Sequence, residues 1–246
     1  MSHPARHTLR AVAAVAAAVL ALALAGCDDE EAADRRSDAD NGYRAVPDGW
    51  VDLGLPSGLL WAECNVGAAT PSAYGDYIAW GETAPKDVYG WQSYRHATAS
   101  ADGHLDALTR YNTMPSFGPV DGLTALLPDD DAAALRLGSG ARTPSSADWQ
   151  ELVDNSAAFW TTLDGVGGCR FTGANGNSIF LPAAGGATET GMDSPGTGGF
   201  YWSSTLADDP DGAWCLAFTS QGGVLSYGIG GSDRYRGHPV RAVRPR

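Results

Sequence analysis

The densest recognition chemistry in the sequence lies at its C-terminus, where Arg234, Arg236, Arg241, Arg244 and Arg246 are interleaved with Tyr235 and His238. A guanidinium fork pairs with carboxylate or sulfate, and an aromatic ring supplies rigid contact area. This mixture therefore suits ligand binding better than bond making. Asp233 and Tyr227 lie just upstream, and Trp202 stands in the aromatic run Tyr201-Trp202-Ser203-Ser204. The candidate ligand surface is accordingly Trp202, Tyr227, Asp233, Arg234, Tyr235, Arg236 and His238, and the expected ligand is an acidic glycan or a protein. Arg241 follows Val240 in a strand-like run, so holding the C-terminus in place is an equal role for it, and the same structural role is the alternative for Arg234 and Tyr235.

Signals for other chemistry are weaker. His96, His104 and His238 are too scattered for a local zinc motif, and no Gly-x-Ser-x-Gly elbow is present. The acidic runs Asp129-Asp130-Asp131 and Asp208-Asp209-Pro210-Asp211-Gly212 offer oxygen ligands, but neither fits the twelve-residue calcium loop with its closing glutamate. They read as a helix N-terminus and a solvated turn. No metal and no cofactor is implied. With 16 basic residues against 29 acidic ones the formal net charge is −13, which argues against nucleic acid as a partner because phosphate binding needs a basic footprint.

The elements that must position these residues are short. Trp50-Val51-Asp52-Leu53 and Leu59-Leu60-Trp61-Ala62-Glu63-Cys64 flank the turn Leu55-Pro56-Ser57-Gly58, a hairpin pattern, and Tyr77-Ile78-Ala79-Trp80 is a third strand candidate. Residues 86–127 read mostly as loop. Asp129-Asp130-Asp131 precede a short helix that stops at Gly138. Ser145 with Asp148 forms a capping box for a second helix, on which Trp149, Leu152 and Val153 share a face. Beyond Trp160 the pattern turns to strands: residues 168–172 and 178–181 around the turn Ala174-Asn175-Gly176-Asn177, then 201–204, 213–219, 224–227 and 240–243. In residues 213–219 both alternating sets are apolar, which predicts a central strand.

At the other end, Arg6 and Arg10 precede residues 11–25, a run with no polar side chain. This is the charged and apolar pattern of an export signal, and at about 22 Å as a helix the run is short of a hydrocarbon core of roughly 30 Å. The run ends in Leu24-Ala25-Gly26-Cys27, which resembles the lipobox of bacterial lipoproteins. That resemblance implies cleavage before Cys27, a diacylglyceryl group on its thiol, and an acyl chain such as palmitate. The expected organisation is a signal peptide over residues 1–26, a lipidated acidic tether over 27–46, and one domain over 47–246. The expected location is outside the cytoplasm, lipid-anchored to the cell envelope at the outer membrane or cell surface. With Cys27 lipidated, Cys64, Cys169 and Cys215 remain, enough for one disulfide. Cys169 and Cys215, both in strand-like segments, are the expected pair.

Several blocks together resemble a known family. They are Val51-Asp52-Leu53-Gly54-Leu55-Pro56-Ser57-Gly58-Leu59-Leu60-Trp61-Ala62, Tyr74-Gly75-Asp76-Tyr77-Ile78-Ala79-Trp80-Gly81-Glu82, Arg142-Thr143-Pro144-Ser145, Gly176-Asn177-Ser178-Ile179-Phe180-Leu181-Pro182-Ala183-Ala184-Gly185, Tyr201-Trp202-Ser203-Ser204, and Arg234-Tyr235 with Val240-Arg241. In this order they are similar to the Fibrobacter succinogenes major paralogous domain family. Pro239 departs from the serine usual before Val-Arg, and Cys169 and Cys215 stand where tyrosine is frequent. The resemblance implies an α+β, C-type-lectin-like domain, with two short helices packed on antiparallel strands and long irregular loops. It implies no activity, since fold does not fix function. The Glu-Pro-Asn, Gln-Pro-Asp and Trp-Asn-Asp triplets of calcium-dependent lectins are absent. Formylglycine-generating enzymes share a related fold and a copper-binding cysteine pair. The spacing of Cys169 and Cys215 does not match theirs, and the Arg-Gly-Gly-Ser-Trp motif is missing. The expectation is a non-catalytic surface binding module, with a structural envelope protein lacking a specific ligand as the alternative and an oxidase of that type last.

Overall fold

The computed structural model describes residues 48–138, 140–222 and 224–246; the expected signal peptide, Cys27 and the tether lie outside the described residues. What is described is mostly antiparallel strand in small sheets, with two short α-helices.

In chain order, β1 (Trp50–Asp52) and β2 (Leu60–Asn65) form the expected hairpin, closed at the turn by Gly58 N–H donating to Leu55 O at 2.9 Å. Next come the small hairpin β3 (Ala97–Ala99) and β4 (Leu105–Leu108), then helix α1 (Ala132–Leu137). The Asp131 carboxylate caps α1 by accepting from the amides of Ala133 and Ala134, and also from the amide and hydroxyl of Thr143. Helix α2 (Ser146–Asn155) starts in the expected capping box, with Ser145 Oγ accepting from the Asp148 amide. Burial opposes ionisation of Asp148, but Arg142 at 2.6 Å and the Ser145 hydroxyl and amide outweigh it, so its carboxyl sits below the usual range. Strand β5 (Ser156–Leu163) follows at once, earlier than the expected start beyond Trp160. It pairs with β6 (Val166–Gly173), which pairs with β7 (Ser178–Pro182). A hairpin that sequence reasoning missed, β8 (Gly186–Thr188) and β9 (Gly191–Asp193), precedes the sheet of β10 (Gly198–Leu206), β11 (Gly212–Gln221) and β12 (Val224–Asp233). The last strand, β13 (Arg241–Arg244), pairs with β2, so one sheet of order β1-β2-β13 closes both ends of the domain.

As its two apolar faces predict, β11 is the middle strand of its sheet and separates two cores. Leu216 and Phe218 face Trp149 and Leu152 of α2, Cys169 and Phe171 of β6, and Ile179 and Leu181 of β7. Ala213 and Cys215 face Trp80, Tyr111 and Trp202, with Ala132 and Ala133 of α1. Each large apolar side chain fully buried here contributes roughly 1.5–3 kcal/mol, which is what holds helices of ten residues or fewer in place. This arrangement corrects the expected disulfide. Cys169 points into the first core and Cys215 into the second, on opposite faces of β11, and both are free thiols, as is Cys64. Burial pushes the Cys215 thiol up to about 12 and raises that of Cys169 as well.

The strand expected at residues 77–80 is also corrected. The segment makes a single bridge, Ile78 with His238; beyond it, Trp80 N–H donates to Arg234 O and Ala79 O accepts from Glu82 N–H in a turn. Indole donors hold it instead: Trp80 Nε1 donates to Ser203 O at 2.7 Å, and Trp202 Nε1 to Ile78 O at 2.8 Å.

Candidate functional site

Three of the seven expected surface residues are interior. Arg234 is 0 % exposed, Trp202 1 % and His238 2 %, so none of them presents its side chain to an external ligand. Arg234 is a strut. Its guanidinium donates to Tyr94 Oη at 2.9 Å and to the carbonyls of Tyr111 at 3.1 Å, Pro210 at 2.8 Å and Arg110 at 2.9 Å, and it lies 4.9 Å from the centroid of the Trp80 ring. It thereby ties the long segment before α1 to the turn between β10 and β11. Arg241 does the same at the other sheet, donating to Asn65 Oδ1 and to the carbonyls of Ala62, Glu63 and Phe180. Of the remaining C-terminal arginines, Arg244 sits 4.4 Å over the Trp50 ring and 3.6 Å from Asp48, and Arg246 pairs with Asp52. Tyr227 packs against Phe171 at 5.8 Å beside the first core, away from the C-terminal loop.

His238 is wedged between Phe200 at 5.4 Å and Trp202 at 4.3 Å. Its Nδ1 faces Gly237 O at 3.1 Å and its Nε2 faces Ser232 Oγ at 2.9 Å. A carbonyl can only accept, so Nδ1 carries the proton and Nε2 accepts from the serine. Burial, and then nearby Arg236, push its pKa down to about 3. Stability that depends on a neutral His238 is complete above its unfolded-state pKa of 6.5 and is lost as the pH falls toward about 3. Burial lowers the pKa of His96 too, in the same direction. Thermal melts should therefore lose roughly 2–3 kcal/mol of stability between about pH 7 and pH 4.5, with a shallower slope in His238→Gln. Equal stability at both pH values would show that no neutral imidazole is held in the fold.

The other three expected residues, Asp233, Tyr235 and Arg236, converge with the β8–β9 hairpin. An open concavity of about 460 Å³ is lined by Thr188, Glu189, Thr190, Met192, Asp193, Tyr235 and Arg236. Arg236 Nη1 reaches Asp193 and its Nε reaches Asp233, each at 3.4 Å, so the guanidinium bridges β9 and the end of β12. Burial disfavours that charge, but Tyr235, Asp233 and Asp193 around it raise its pKa. Burial together with Asp233 raises the Tyr235 hydroxyl, and the Tyr235 ring is backed edge-on by Trp91 at 4.9 Å. A second open concavity of about 400 Å³ includes Tyr77, Pro85, Lys86, Tyr89 and Ala187, and it shares Thr188 and Met192 with the first. The hairpin is the wall between the two.

No family model, curated protein or solved structure matches the chain. Among the described residues no group of three or more His, Cys, Asp or Glu side chains is placed to hold a metal ion, and no helix is long and apolar enough to cross a membrane. Sequence reasoning found Tyr235, Arg236 and Asp233 from composition but missed Thr188, Glu189, Thr190, Met192 and Asp193. The usable signal was the run Ala187-Thr188-Glu189-Thr190-Gly191-Met192, a polar turn with glycine between two short extended pieces.

Proposed function

We propose that the chain is an envelope-anchored lipoprotein whose single domain, of the Fibrobacter succinogenes major paralogous type with a C-type-lectin-like fold, binds an extracellular glycan or protein without catalysis. The observation that carries the binding reading is the concavity beside the β8–β9 hairpin, where hydroxyls, carboxylates, a guanidinium and a tyrosine ring converge on an open surface. Ligand sites typically combine a concave shape with a few polar groups of fixed orientation. Arg236 and Tyr235 have their orientation fixed by Asp193, Asp233 and Trp91. The fold reading is supported by two short helices beside antiparallel strands, by long connections between residues 66 and 131, and by the closing of both ends in one sheet.

Screening the protein on a glycan array and against envelope proteins tests the binding reading. Any hit should lose about tenfold in affinity on Tyr235→Ala and on Glu189→Ala, with melting unchanged for the latter. A ligand indifferent to both substitutions would move the site off this surface. The anchor rests on Leu24-Ala25-Gly26-Cys27. Cys27→Ala should shift the protein from the membrane to the soluble fraction, because the acyl chains supply about 0.8 kcal/mol per buried methylene. A mutant that stays on the membrane would show a different attachment.

A further inference from the structure

The β8–β9 hairpin has one paired side and one open side. Ala187 exchanges both its backbone bonds with Gly237: its N–H donates to Gly237 O at 2.7 Å, and it accepts from Gly237 N–H at 3.0 Å. On its other flank β8 pairs with β9, with Ala187 opposite Met192. In an antiparallel pair the N–H and C=O of one residue point to the same side, and the side alternates along the strand. Ala187 spends both groups on Gly237, so Ala187 and Met192 form a non-hydrogen-bonded pair, and the N–H and C=O of Met192 point away from β8. Neither group has a backbone partner among the described residues. All three residues of β9 are exposed, Met192 at 45 %.

The two faces of this edge differ in chemistry. Met192 shares its face with Ala187, which packs on Tyr89, and there the concavity offers Tyr77, Pro85 and the methionine side chain, with Asp76, Lys86 and Asp87 also lining it. Asp193 lies on the opposite face, where the concavity also holds Glu189. Arg236 is the basic residue lining it and is already shared between Asp193 and Asp233, so this side keeps an excess of negative charge. An acidic ligand is disfavoured by that excess, whereas an ammonium or guanidinium is favoured.

We propose that the free edge of β9 accepts an extended peptide from a protein partner as an added antiparallel strand, with alternating apolar and basic side chains. This rests on the binding reading above and names the ligand of that same site. A strand added at an exposed edge gains affinity from main-chain bonds and specificity from pockets for alternate side chains. The residue paired with Met192 shares its face and enters the concavity beside Tyr77, Pro85 and the Met192 side chain. Its two neighbours point to the other face and bring their charge to Glu189 and Asp193. The shape matches: one concavity on each face of a single edge, sharing Met192.

The probe is the labelled peptide Lys-Val-Lys-Val-Lys, acetylated and amidated, titrated into the full-length protein by fluorescence anisotropy. N-methylation of the valines removes the N–H groups aimed at β9 and should weaken binding by about three- to tenfold, whereas N-methylation of the lysines, whose N–H groups point outward, should leave it unchanged. Met192→Pro removes the edge donor, and proline is tolerated on edge strands, so this variant should weaken binding by a similar factor while Met192→Ala weakens it less. Glu189→Gln should weaken it, whereas Asp102→Asn, an exposed charge elsewhere, should not. Loss of affinity on valine methylation and in Met192→Pro supports the added strand. Equal tolerance of both methylation patterns overturns it, leaving a charge attraction alone. Should a glycan bind in a Tyr235-dependent way while no peptide does, this inference fails and the binding reading stands. Should neither bind, both fail.

Discussion

Replacing Arg234 with alanine is expected to cost about 4 kcal/mol or more of folding stability, a large share of the roughly 5–15 kcal/mol typical of a domain. The guanidinium is buried and donates to Tyr94 Oη and to three backbone carbonyls that belong to two distant segments. Alanine leaves those acceptors in a dry site with no donor, at about 1–3 kcal/mol for each one that water does not reach, and opens a cavity beneath Trp80 and Tyr111. Arg234→Lys keeps the charge but not the planar fork, and one ammonium cannot reach all the carbonyls, so it should recover only part of the loss. Urea unfolding followed by tryptophan fluorescence checks both variants. An alanine variant within about 1 kcal/mol of the parent would mean that the arginine is not a strut but a replaceable filler.

Gly185→Ala is expected to be nearly as damaging, and to act on the binding surface directly. Gly185 has a φ of +66°, and a Cβ added there would stand 2.2 Å from Asp193 O and 2.8 Å from Pro195 N. Both atoms are backbone, so no side chain can rotate away. The left-handed conformation alone costs an alanine about 1–2 kcal/mol, and overpacking adds about 1–3 kcal/mol. Gly176 provides the comparison, because its φ of +84° is equally left-handed while nothing lies within 4 Å of an added Cβ. Gly176→Ala should therefore lose about 1 kcal/mol, Gly185→Ala about 3 kcal/mol, and only the latter should push β9 outward and abolish ligand binding. Equal losses at the two sites would remove the argument from close approach.

Local patterns carried the parts of this fold whose causes are local. Pro56 and Gly58 marked the first turn, Ser145 and Asp148 marked the start of α2, and the double apolar alternation of residues 213–219 marked β11 as central. Arg234 and His238 were misread because composition places arginine and histidine outside. What brings them inside is a set of carbonyls and rings contributed by residues such as Arg110, Tyr111, Phe200 and Pro210, remote in sequence. The cysteines failed for a related reason. Alternation puts Cys215 on the face opposite Leu216, but the sequence does not say which of the two faces meets Cys169. The β8–β9 hairpin has strands of three residues with no apolar alternation, too short for any periodic signal.

The closure of β1 and β13 on the two sides of β2 has a mechanical consequence. A pull on the chain at residue 48 enters the domain through β1, passes to β2 across their antiparallel ladder, and can leave through β13 in the same sheet. The ends lie side by side, with Asp48 3.6 Å from Arg244. Tension between the two ends is therefore carried by three strands, and the β8–β9 edge lies off its path. A domain strung this way can be spliced into a loop of another protein with little distortion of its ligand face.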